Sequence, residues 1–234
     1  MYALLDWDST LRKSATLFSW MAFMCENGYL PAGVLEEHEE IIRNYKAGKL
    51  THDELSEQIN GHYLRAVKGM KLETYQRYLQ EFLRFDNGPR IPTTAVITDW
   101  LKQNGVEIVV VSGSPLRIIR HHFDWMGVKQ AFALEEGVVD NCFSGQKLSD
   151  GGSDKGRIVK ACRAAYHEEP VVAMGDSVSD YPMLRAAKLA ILVGNECGFP
   201  DRMTGIAARI EQSDKGAQKL RRILCDFEKT WGGV

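Results

Sequence analysis

Residues 2–11 read YALLDWDSTL. The segment begins with a very short apolar run, which predicts a buried parallel strand and is too short for a helix. Asp6 and Asp8 follow at alternate positions, and a purely structural strand gains nothing from two carboxylates that must be desolvated or paired. At the carboxyl end of a parallel strand, where open α/β sheets bind ligands, the same acids can meet a cation and a substrate. The segment therefore predicts a ligand site at the end of the first strand.

The composition is that of a folded protein. The chain has 234 residues, of which 44% are hydrophobic and 26% charged, enough for one domain plus an insertion. A formal net charge of −2 gives no electrostatic footprint for nucleic acid or an anionic membrane. No apolar run approaches the roughly 18–20 residues that span a bilayer, and acids stand where a signal peptide would be apolar. We expect a cytoplasmic protein.

The cysteines show no sign of a disulfide framework or of a metal-binding pair. They are odd in number and scattered, and none forms a C-x-x-C pair: Cys25, Cys142, Cys162, Cys197 and Cys225. We expect reduced thiols in packing roles.

Residues 14–90 carry helical patterns only. Apolar residues recur at helical spacing in four segments, near residues 17–25, 34–45, 55–63 and 72–83. Thr51 and Glu54 form a capping box before the third segment. The sequence therefore predicts four helices and no strand in this part of the chain.

From Pro92 onward, predicted helices and strands alternate. The predicted strands are 106–111, 171–174 and 189–193, with a hairpin within 131–148 and helices after residues 92, 115, 155 and 182. This alternation predicts an α/β fold with a doubly wound parallel sheet. We expect one core domain, residues 1–13 and 91–234, with a helical domain, residues 14–90, inserted after the first strand.

Further polar residues occur where predicted strands end or a helix begins. Ser112 and Gly113 follow the strongest strand, where a hydroxyl and backbone N–H groups suit phosphate oxygens. Lys155 opens a helix, where an ammonium opposes the helix dipole unless an anion lies nearby. Asp176 and Asp180 lie four residues apart in a Gly/Ser loop and offer the oxygen ligands of a hard cation.

Each of these positions also has an ordinary structural explanation. Asp8 could cap a turn, and Ser112 could cap a turn of its own. Asp180 could serve as N-cap of the following helix, since a proline two residues later suits a helix start. Lys155 could be a solvated side chain, and Lys147 is a rival for its role. The individual residues leave these alternatives open.

The order of the four pieces resembles the motif pattern of the haloacid dehalogenase-like (HAD) phosphohydrolases. The pieces are Asp-x-Asp-x-Thr at residue 6, Ser112, Lys155 and Gly-Asp-x-x-x-Asp at residue 175. The helices between the first two pieces resemble the family's C1 cap, so the resemblance implies a Rossmann-like HAD core with an inserted helical cap. Spacing and cap are similar to those of the phosphoserine-phosphatase-like subfamily IB.

The resemblance implies phosphoryl transfer in two steps through a covalent aspartyl-phosphate. Asp6 would be the nucleophile, and Asp8 the general acid of the first step and general base of the second. Mg²⁺ would be held by Asp6, by Asp8 through its backbone carbonyl and by Asp176, with Asp180 orienting bound waters.

By the same resemblance, a cradle of polar groups would hold the phosphoryl oxygens of the substrate. It would consist of the Ser112 hydroxyl, the Gly113 N–H and the Lys155 ammonium.

The sequence differs from those of phosphoserine phosphatases at the position that binds their substrate and in the fourth motif. Ala15 falls where those enzymes carry an acid for the substrate ammonium, and Ser177 and Ser179 replace a glycine and an asparagine. Residues 112–115 and 48–82 look closer to the histidinol-phosphatase-like branch. We therefore predict a Mg²⁺-dependent phosphatase of a small soluble phosphomonoester. A phosphotransferase and a non-catalytic binding module remain alternatives, and the sequence leaves the oligomeric state open.

Other polar and aromatic residues favour structural roles. His121 and His122 suggest a metal site, but adjacent helical residues point about 100° apart, so solvated or capping roles are favoured. Arg117 could steer an anionic substrate, although a solvated helix surface is the default. Trp7 and Trp20 could line the substrate pocket or pack in the core.

Overall fold

The computed structural model describes residues 1–194 and 206–231, and a seven-stranded sheet forms its centre. The strands are β1 (Tyr2–Leu5), β2 (Glu107–Pro115), β3 (Val128–Val139), β4 (Cys142–Ser149), β5 (Val172–Gly175), β6 (Leu189–Val193) and β7 (Ile206–Ile210). Their order is β4-β3-β2-β1-β5-β6-β7. All neighbouring strands are parallel except β3 and β4, which form the predicted hairpin. The predicted fold class is confirmed.

The helices follow the predicted alternation. They are α1 (Thr16–Glu26), α2 (Ala32–Lys46), α3 (His52–Val67), α4 (Leu72–Leu83), α5 (Pro92–Gln103), α6 (Leu116–Ile119), α7 (Phe123–Met126), α8 (Lys155–Tyr166), α9 (Tyr181–Ala186) and α10 (Asp214–Trp231). We call α1–α4 the helical insertion. Its α3 begins with the predicted capping box, in which Thr51 and Glu54 each cap the other's backbone N–H.

The sheet buries both faces, and β1 shows how the sequence achieves this. Ala3 and Leu5 pack into one apolar layer together with residues of α5 and α10. Tyr2 and Leu4 pack into another with residues of α8 and α9. Successive side chains of a strand point to opposite faces, so a continuous apolar run matches a strand covered on both sides.

The central position of β1 determines where polar residues gather. It lies between β2 and β5 and runs parallel to both. The carboxyl ends of the three strands therefore meet at one edge of the sheet. Asp6 follows β1, Ser112 lies in the last part of β2 and Asp176 follows β5. This is the point where the strand order reverses, at which doubly wound sheets bind ligands.

Two elements near the C-terminus, β7 and α10, are not predicted by the patterns above. Strand β7 has the sequence IAARI, in which alanines and an arginine weaken the strand signal. Helix α10 carries many charged residues, and its buried positions, including Leu220 and Leu224, pack with α5. Its apolar residues recur at helical spacing, but the basic residues between them make this pattern hard to recognise in the sequence.

The helical insertion shares its apolar core with the β3–β4 hairpin. Trp20, Tyr75 and Phe82 of the insertion pack with Phe143 of β4. The link between α3 and α4 also pairs with β4, since the Gly69 N–H donates to the Phe143 carbonyl over 2.8 Å. The helical insertion is therefore attached to the rest of the protein through the β3–β4 hairpin.

A buried polar network joins the same two parts. The Tyr63 hydroxyl donates to Glu136 Oε1 over 2.7 Å and lies 2.7 Å from the Tyr75 hydroxyl. Arg117 Nε lies 3.4 Å from the second oxygen of Glu136. Burial raises the pKa of Glu136, against the opposing effects of Tyr63 and Arg117. Such a network fixes one arrangement of α3 on the hairpin, because shifting α3 would leave the glutamate unpaired.

A buried ion pair fastens the two segments that connect the insertion to the rest of the chain. Arg12 Nη1 lies 2.6 Å from both carboxylate oxygens of Asp86, and the two side chains are 3% and 4% exposed. Beside the pair, the Lys13 N–H donates to the Gly88 carbonyl over 3.1 Å. A Cβ at position 88 would lie 2.3 Å from Arg12 Nη1, so a larger residue there would displace the Arg12 guanidinium. The entry and exit of the insertion are thus joined.

The remaining expectations of the sequence concern tryptophans, cysteines and membranes. Trp7 and Trp20 are both buried in apolar clusters, so core packing is the correct alternative for each. The cysteines of the described ranges are free thiols, and Cys197 lies outside those ranges. None of the described helices is both long and apolar enough to cross a membrane.

Candidate active site

The four sequence motifs meet in a cavity of about 580 Å³ between the sheet edge and the helical insertion. Six of the predicted site residues line it: Asp6, Asp8, Ser112, Gly113, Lys155 and Asp176. The seventh, Asp180, is fully buried behind Lys155 and Asp6. The structure therefore brings together residues that lie up to about 170 positions apart in the chain.

Asp6 is held rigidly at the end of β1. Its backbone N–H continues the sheet by donating to the Met174 carbonyl over 2.9 Å. One carboxylate oxygen accepts a hydrogen bond from Lys155 Nζ over 2.7 Å. Burial and the neighbouring Asp180 raise the pKa of Asp6, while Lys155 acts in the opposite direction. The site thus holds a carboxylate whose charge needs further positive partners.

Lys155 is the first residue of α8, and it lies between two carboxylates. Its Nζ is 2.7 Å from Asp6 Oδ1 and 2.5 Å from Asp180 Oδ1. Burial acts to lower the pKa of Lys155, but the two carboxylates outweigh it and raise the pKa. The sequence places an ammonium at a helix N-terminus, where the helix dipole disfavours it, and these two carboxylates offset that unfavourable interaction. The rival Lys147 instead pairs with Glu57 over 2.6 Å, away from the cavity.

Three carboxylates form a compact group of potential metal ligands. One oxygen from each of Asp6, Asp176 and Asp180 lies within 4.8 Å of the others. Within residues 1–194 and 206–231, this is the one such group of acidic, histidine or cysteine ligands. The Asp8 side chain is not part of it. Oxygen-only donors of this kind suit a hard divalent cation.

Asp180 organises the loop after β5. One oxygen accepts hydrogen bonds from the Asp176 N–H, the Ser177 N–H and the Ser177 hydroxyl, over 2.9–3.1 Å. Asp180 is the N-cap residue of α9, but its side chain makes no capping hydrogen bond there, because it turns back into the preceding loop. Gly175 permits this, since a Cβ there would lie 2.4 Å from the Asp180 side chain.

Asp8 is oriented by two residues that the sequence analysis does not identify. Its Oδ1 accepts hydrogen bonds from the Thr16 N–H over 2.8 Å and from the Thr16 hydroxyl over 2.6 Å. Its Oδ2 accepts from the Ser114 hydroxyl over 2.5 Å. Burial raises the pKa of Asp8 against these hydrogen bonds. A raised pKa favours the protonated form of the carboxyl group, which is the form that can donate a proton.

Thr16 and Ser114, which orient Asp8, are only weakly indicated by the sequence. Thr16 is the first residue of α1, and its N–H lacks a local cap because Ala15 is the N-cap residue. The Asp8 carboxylate fills that role from outside the helix, an arrangement that no short local pattern reveals. Ser114 lies two residues beyond Ser112 in β2, so strand periodicity is the one signal that places the two side chains on the same face.

Ser112 and Gly113 lie beside a second glycine-rich loop. The Ser112 hydroxyl is buried and accepts a hydrogen bond from the Ser114 N–H over 3.0 Å. Gly152 approaches Gly113 so closely that a Cβ on Gly152 would lie 2.7 Å from the Gly113 Cα. Only glycine fits at position 152, and the loop closes one side of the cavity.

The other histidine and arginine candidates lie elsewhere. His122 Nε2 is 3.6 Å from Asp86, and its ring packs on Trp7. His121 and Arg117 line a separate groove beside α4. The two histidines therefore face different surroundings, as their positions on consecutive helical residues predict.

Comparison with known proteins agrees with this geometry. A family model for the haloacid dehalogenase-like hydrolases matches residues 3–185. A search of curated protein sequences found no significant match.

Several solved structures have the same fold. A phospho-aspartyl intermediate analogue of phosphoserine phosphatase is 24% identical, with 96% of this chain and 97% of that chain covered and a TM-score of 0.66. A substrate-bound phosphoserine phosphatase is 21% identical, with 94% and 96% covered and a TM-score of 0.66. A protein of unknown function from Bordetella pertussis Tohama I is 20% identical, with 84% and 91% covered and a TM-score of 0.69.

At these sequence identities, the solved structures establish only the fold, whereas the match to the family model establishes which family the chain belongs to. Its match covers 183 of the 234 residues and includes the two acids after β1, the end of β2, Lys155 and the loop after β5. The chain therefore belongs to the haloacid dehalogenase-like hydrolase family.

Proposed function

We propose that this protein is a Mg²⁺-dependent phosphatase that hydrolyses a small soluble phosphomonoester through a phosphorylated Asp6. The observation that supports this most is the buried contact of Asp6 with Lys155, beside Asp176 and Asp180. A structural strand end has no use for three converging carboxylates against one ammonium. A cation and a phosphate can use all of them. Solved phosphoserine phosphatases of the same fold include a phospho-aspartyl intermediate analogue.

The donor set fits Mg²⁺. Asp6, Asp176 and the backbone carbonyl of Asp8 would hold the ion, while Asp180 would keep the loop in place and orient bound waters. The bound ion would supply positive charge that offsets the repulsion between the carboxylates and the incoming phosphate.

Asp6 and Asp8 would divide the chemistry between them. In the first step, an Asp6 oxygen forms a bond to phosphorus, the bond from phosphorus to the ester oxygen breaks, and Asp8 donates its proton to the leaving alkoxide. In the second step, Asp8 takes a proton from water, whose oxygen attacks phosphorus and releases Asp6. The Thr16 and Ser114 hydrogen bonds would keep Asp8 in the position that serves both steps.

The remaining predicted residues would stabilise the transferring group. Ser112, the Gly113 N–H and Lys155 would donate hydrogen bonds to the phosphoryl oxygens, which carry most of the charge in the transition state. The ammonium already lies beside Asp6, so little rearrangement is needed when a phosphate arrives.

We propose that residues 14–90 act as the cap domain and that residues 1–13 and 91–234 form the core. The helical insertion supplies the wall of the cavity that faces the strand ends. It would exclude bulk water and contact the leaving group. A cytoplasmic location stays a prediction from the sequence.

Removal of divalent metal is expected to abolish phosphate release, because the uncompensated carboxylates repel the substrate phosphate. Release should be measured with Mg²⁺, with EDTA, and after Mg²⁺ is restored. Asp176→Asn should raise the Mg²⁺ concentration needed for half-maximal rate by about tenfold or more. Full turnover in EDTA would contradict the metal assignment.

Asp8→Asn is expected to lower kcat/KM, which reports the first step, about 10²–10⁴-fold for alkyl phosphates, because the leaving alkoxide is no longer protonated. The loss should be smaller for an aryl phosphate, whose phenolate leaves without a proton. Comparison of phenyl phosphate with phenethyl phosphate measures this difference. Equal losses on both esters would show that Asp8 does not act as the acid of the first step.

A further inference from the structure

The cavity wall opposite the strand ends is mostly apolar. We define the insertion wall by Phe18, His38, Ile42, Tyr45, Leu55 and Ile59, which come from α1, α2 and α3 and line the cavity. Ala15, at the place where the resemblance puts a substrate-binding acid, also lines it. A leaving group that enters the cavity must therefore contact aliphatic and aromatic side chains.

The insertion contributes no carboxylate to the cavity lining that the structure describes. The acids that line it are Asp6, Asp8 and Asp176, which lie at the strand ends. The charged residue that the insertion adds is Lys46, which is exposed and positive. An ammonium group on the leaving alcohol would lose its hydration here without gaining a counter-ion.

The insertion also brings polar side chains to the cavity, namely Lys46, His52, Ser56 and Asn60, and His38 is the polar member of the insertion wall. It is 2% exposed, and its Nδ1 has no hydrogen-bond partner within the described residues. Its ring centroid lies 6.0 Å from that of Phe18 and 5.8 Å from that of His62. Burial and the nearby His62 lower the pKa of His38 to about 4, so the ring is neutral at pH 7.

A neutral imidazole carries one donor and one acceptor nitrogen, and a buried nitrogen without a partner is unfavourable. His38 itself lines the cavity. A polar atom of a bound ligand can supply the missing partner.

We propose that the insertion wall selects a phosphomonoester with an uncharged apolar alcohol, aromatic in the best case, and that His38 hydrogen-bonds to one polar atom of that alcohol. This proposal rests on the phosphatase function proposed above. It places phosphoserine, phosphoethanolamine and phosphocholine among the poor substrates.

The first test compares two esters that differ only at the end that meets the wall. Phenethyl phosphate carries a phenyl ring where phosphoethanolamine carries an ammonium, on the same two-carbon alcohol. Wild-type kcat/KM should favour phenethyl phosphate by about 10–100-fold, since each buried methylene contributes about fourfold. Ile59→Asp, which adds a carboxylate to the wall, should shift this ratio toward phosphoethanolamine.

Phosphocholine is the strictest comparison, because the rings of Phe18 and Tyr45 could attract its quaternary ammonium. If phosphocholine or phosphoethanolamine is hydrolysed at least as well as phenethyl phosphate, and Asp6→Asn abolishes that turnover, the inference is wrong while the phosphatase function stands.

The second test isolates His38. Adding a para-hydroxyl to phenethyl phosphate should raise kcat/KM up to about tenfold in the wild type, mainly through KM. His38→Phe should remove this gain, so that the two esters are hydrolysed with equal kcat/KM. His62→Gln, next to His38 but outside the cavity lining, is the matched control and should keep the gain. Persistence of the gain in His38→Phe would overturn the role of His38.

A binding measurement separates the inference from the proposed function. Calorimetry with Asp6→Asn protein should show tighter binding of phenethyl phosphate than of phosphoethanolamine, whether or not any ester is hydrolysed. Absence of all turnover would refute the phosphatase function alone. Equal or tighter binding of phosphoethanolamine would refute the selection by the wall.

Discussion

Replacement of Asp6 by asparagine is expected to lower kcat by at least about 10⁴-fold, because an amide cannot form the phosphorylated intermediate. The structure makes this a clean test, since the fold should survive. Burial and Asp180 raise the pKa of Asp6, so the ionised carboxylate is unfavourable without metal, and the neutral amide should keep or raise Tm. Phosphate release and thermal unfolding measure the two effects separately.

The control for this variant is Asp140→Asn. Asp140 is exposed in the turn of the β3–β4 hairpin, with a φ of 49° that asparagine also adopts readily. This change should leave activity and Tm unaltered. Activity of Asp6→Asn within about tenfold of the wild type, from protein of normal Tm, would remove Asp6 from the role of nucleophile.

Replacement of Asp86 by alanine is expected to lower the free energy of unfolding by about 3–5 kcal/mol, because it leaves the buried Arg12 guanidinium without its anion. Urea denaturation at pH 7 measures this loss. The double variant Arg12→Met with Asp86→Leu should lose less than Asp86→Ala, since no charge remains buried. Asp226→Ala, which breaks the exposed pair of Asp226 with Lys229, should cost far less than Asp86→Ala.

The contribution of Asp86 to the free energy of unfolding should decrease as the pH is lowered. Burial acts to raise the pKa of Asp86, but the nearby His122 ring and the hydrogen-bonded Arg12 guanidinium prevail and lower it to about 2. The unfolded chain has a value of about 3.9 for aspartate. The stabilisation is therefore complete above about pH 4–5 and is lost as the pH falls toward about 2. A difference between wild type and Asp86→Ala that grows as the pH falls from 5 to 3 would contradict this account.

The fold could be predicted from the sequence because local patterns and long-range order agreed. The run before Asp6 is apolar at every position, which is what a central parallel strand requires. The capping box at Thr51 and the alternation after Pro92 are similarly local signals. Strand β7 and helix α10 lacked such signals, because alanine and charged residues obscure their buried faces.

The sequence could predict which main residues form the candidate site, but it could not predict the contacts that orient them. The types and order of Asp6, Ser112, Lys155 and Asp176 carry the family pattern. The partners that orient them depend on tertiary contacts between distant segments. Thr16 reaches Asp8 from a helix start, and Asp180 turns backward to its own loop.

The insertion also depends on contacts that sequence spacing does not express. Its helices are predicted individually, but their attachment to the β3–β4 hairpin involves residues about 70 positions apart, such as Tyr63 and Glu136. Apolar periodicity identifies which face of a helix is buried, and not which partner covers it. The insertion wall and His38 became visible only once these helices were placed over the strand ends.

Direct detection of the phosphorylated residue is the measurement that tests the central claim. Wild-type enzyme mixed with a good substrate should be quenched in acid within the first turnover, digested, and mapped by mass spectrometry. The account predicts one added phosphoryl group on the peptide that contains Asp6, absent in Asp6→Asn and in EDTA. A phosphoryl group on any other residue, or turnover in the Asp6→Asn protein without any phosphoenzyme, would contradict it.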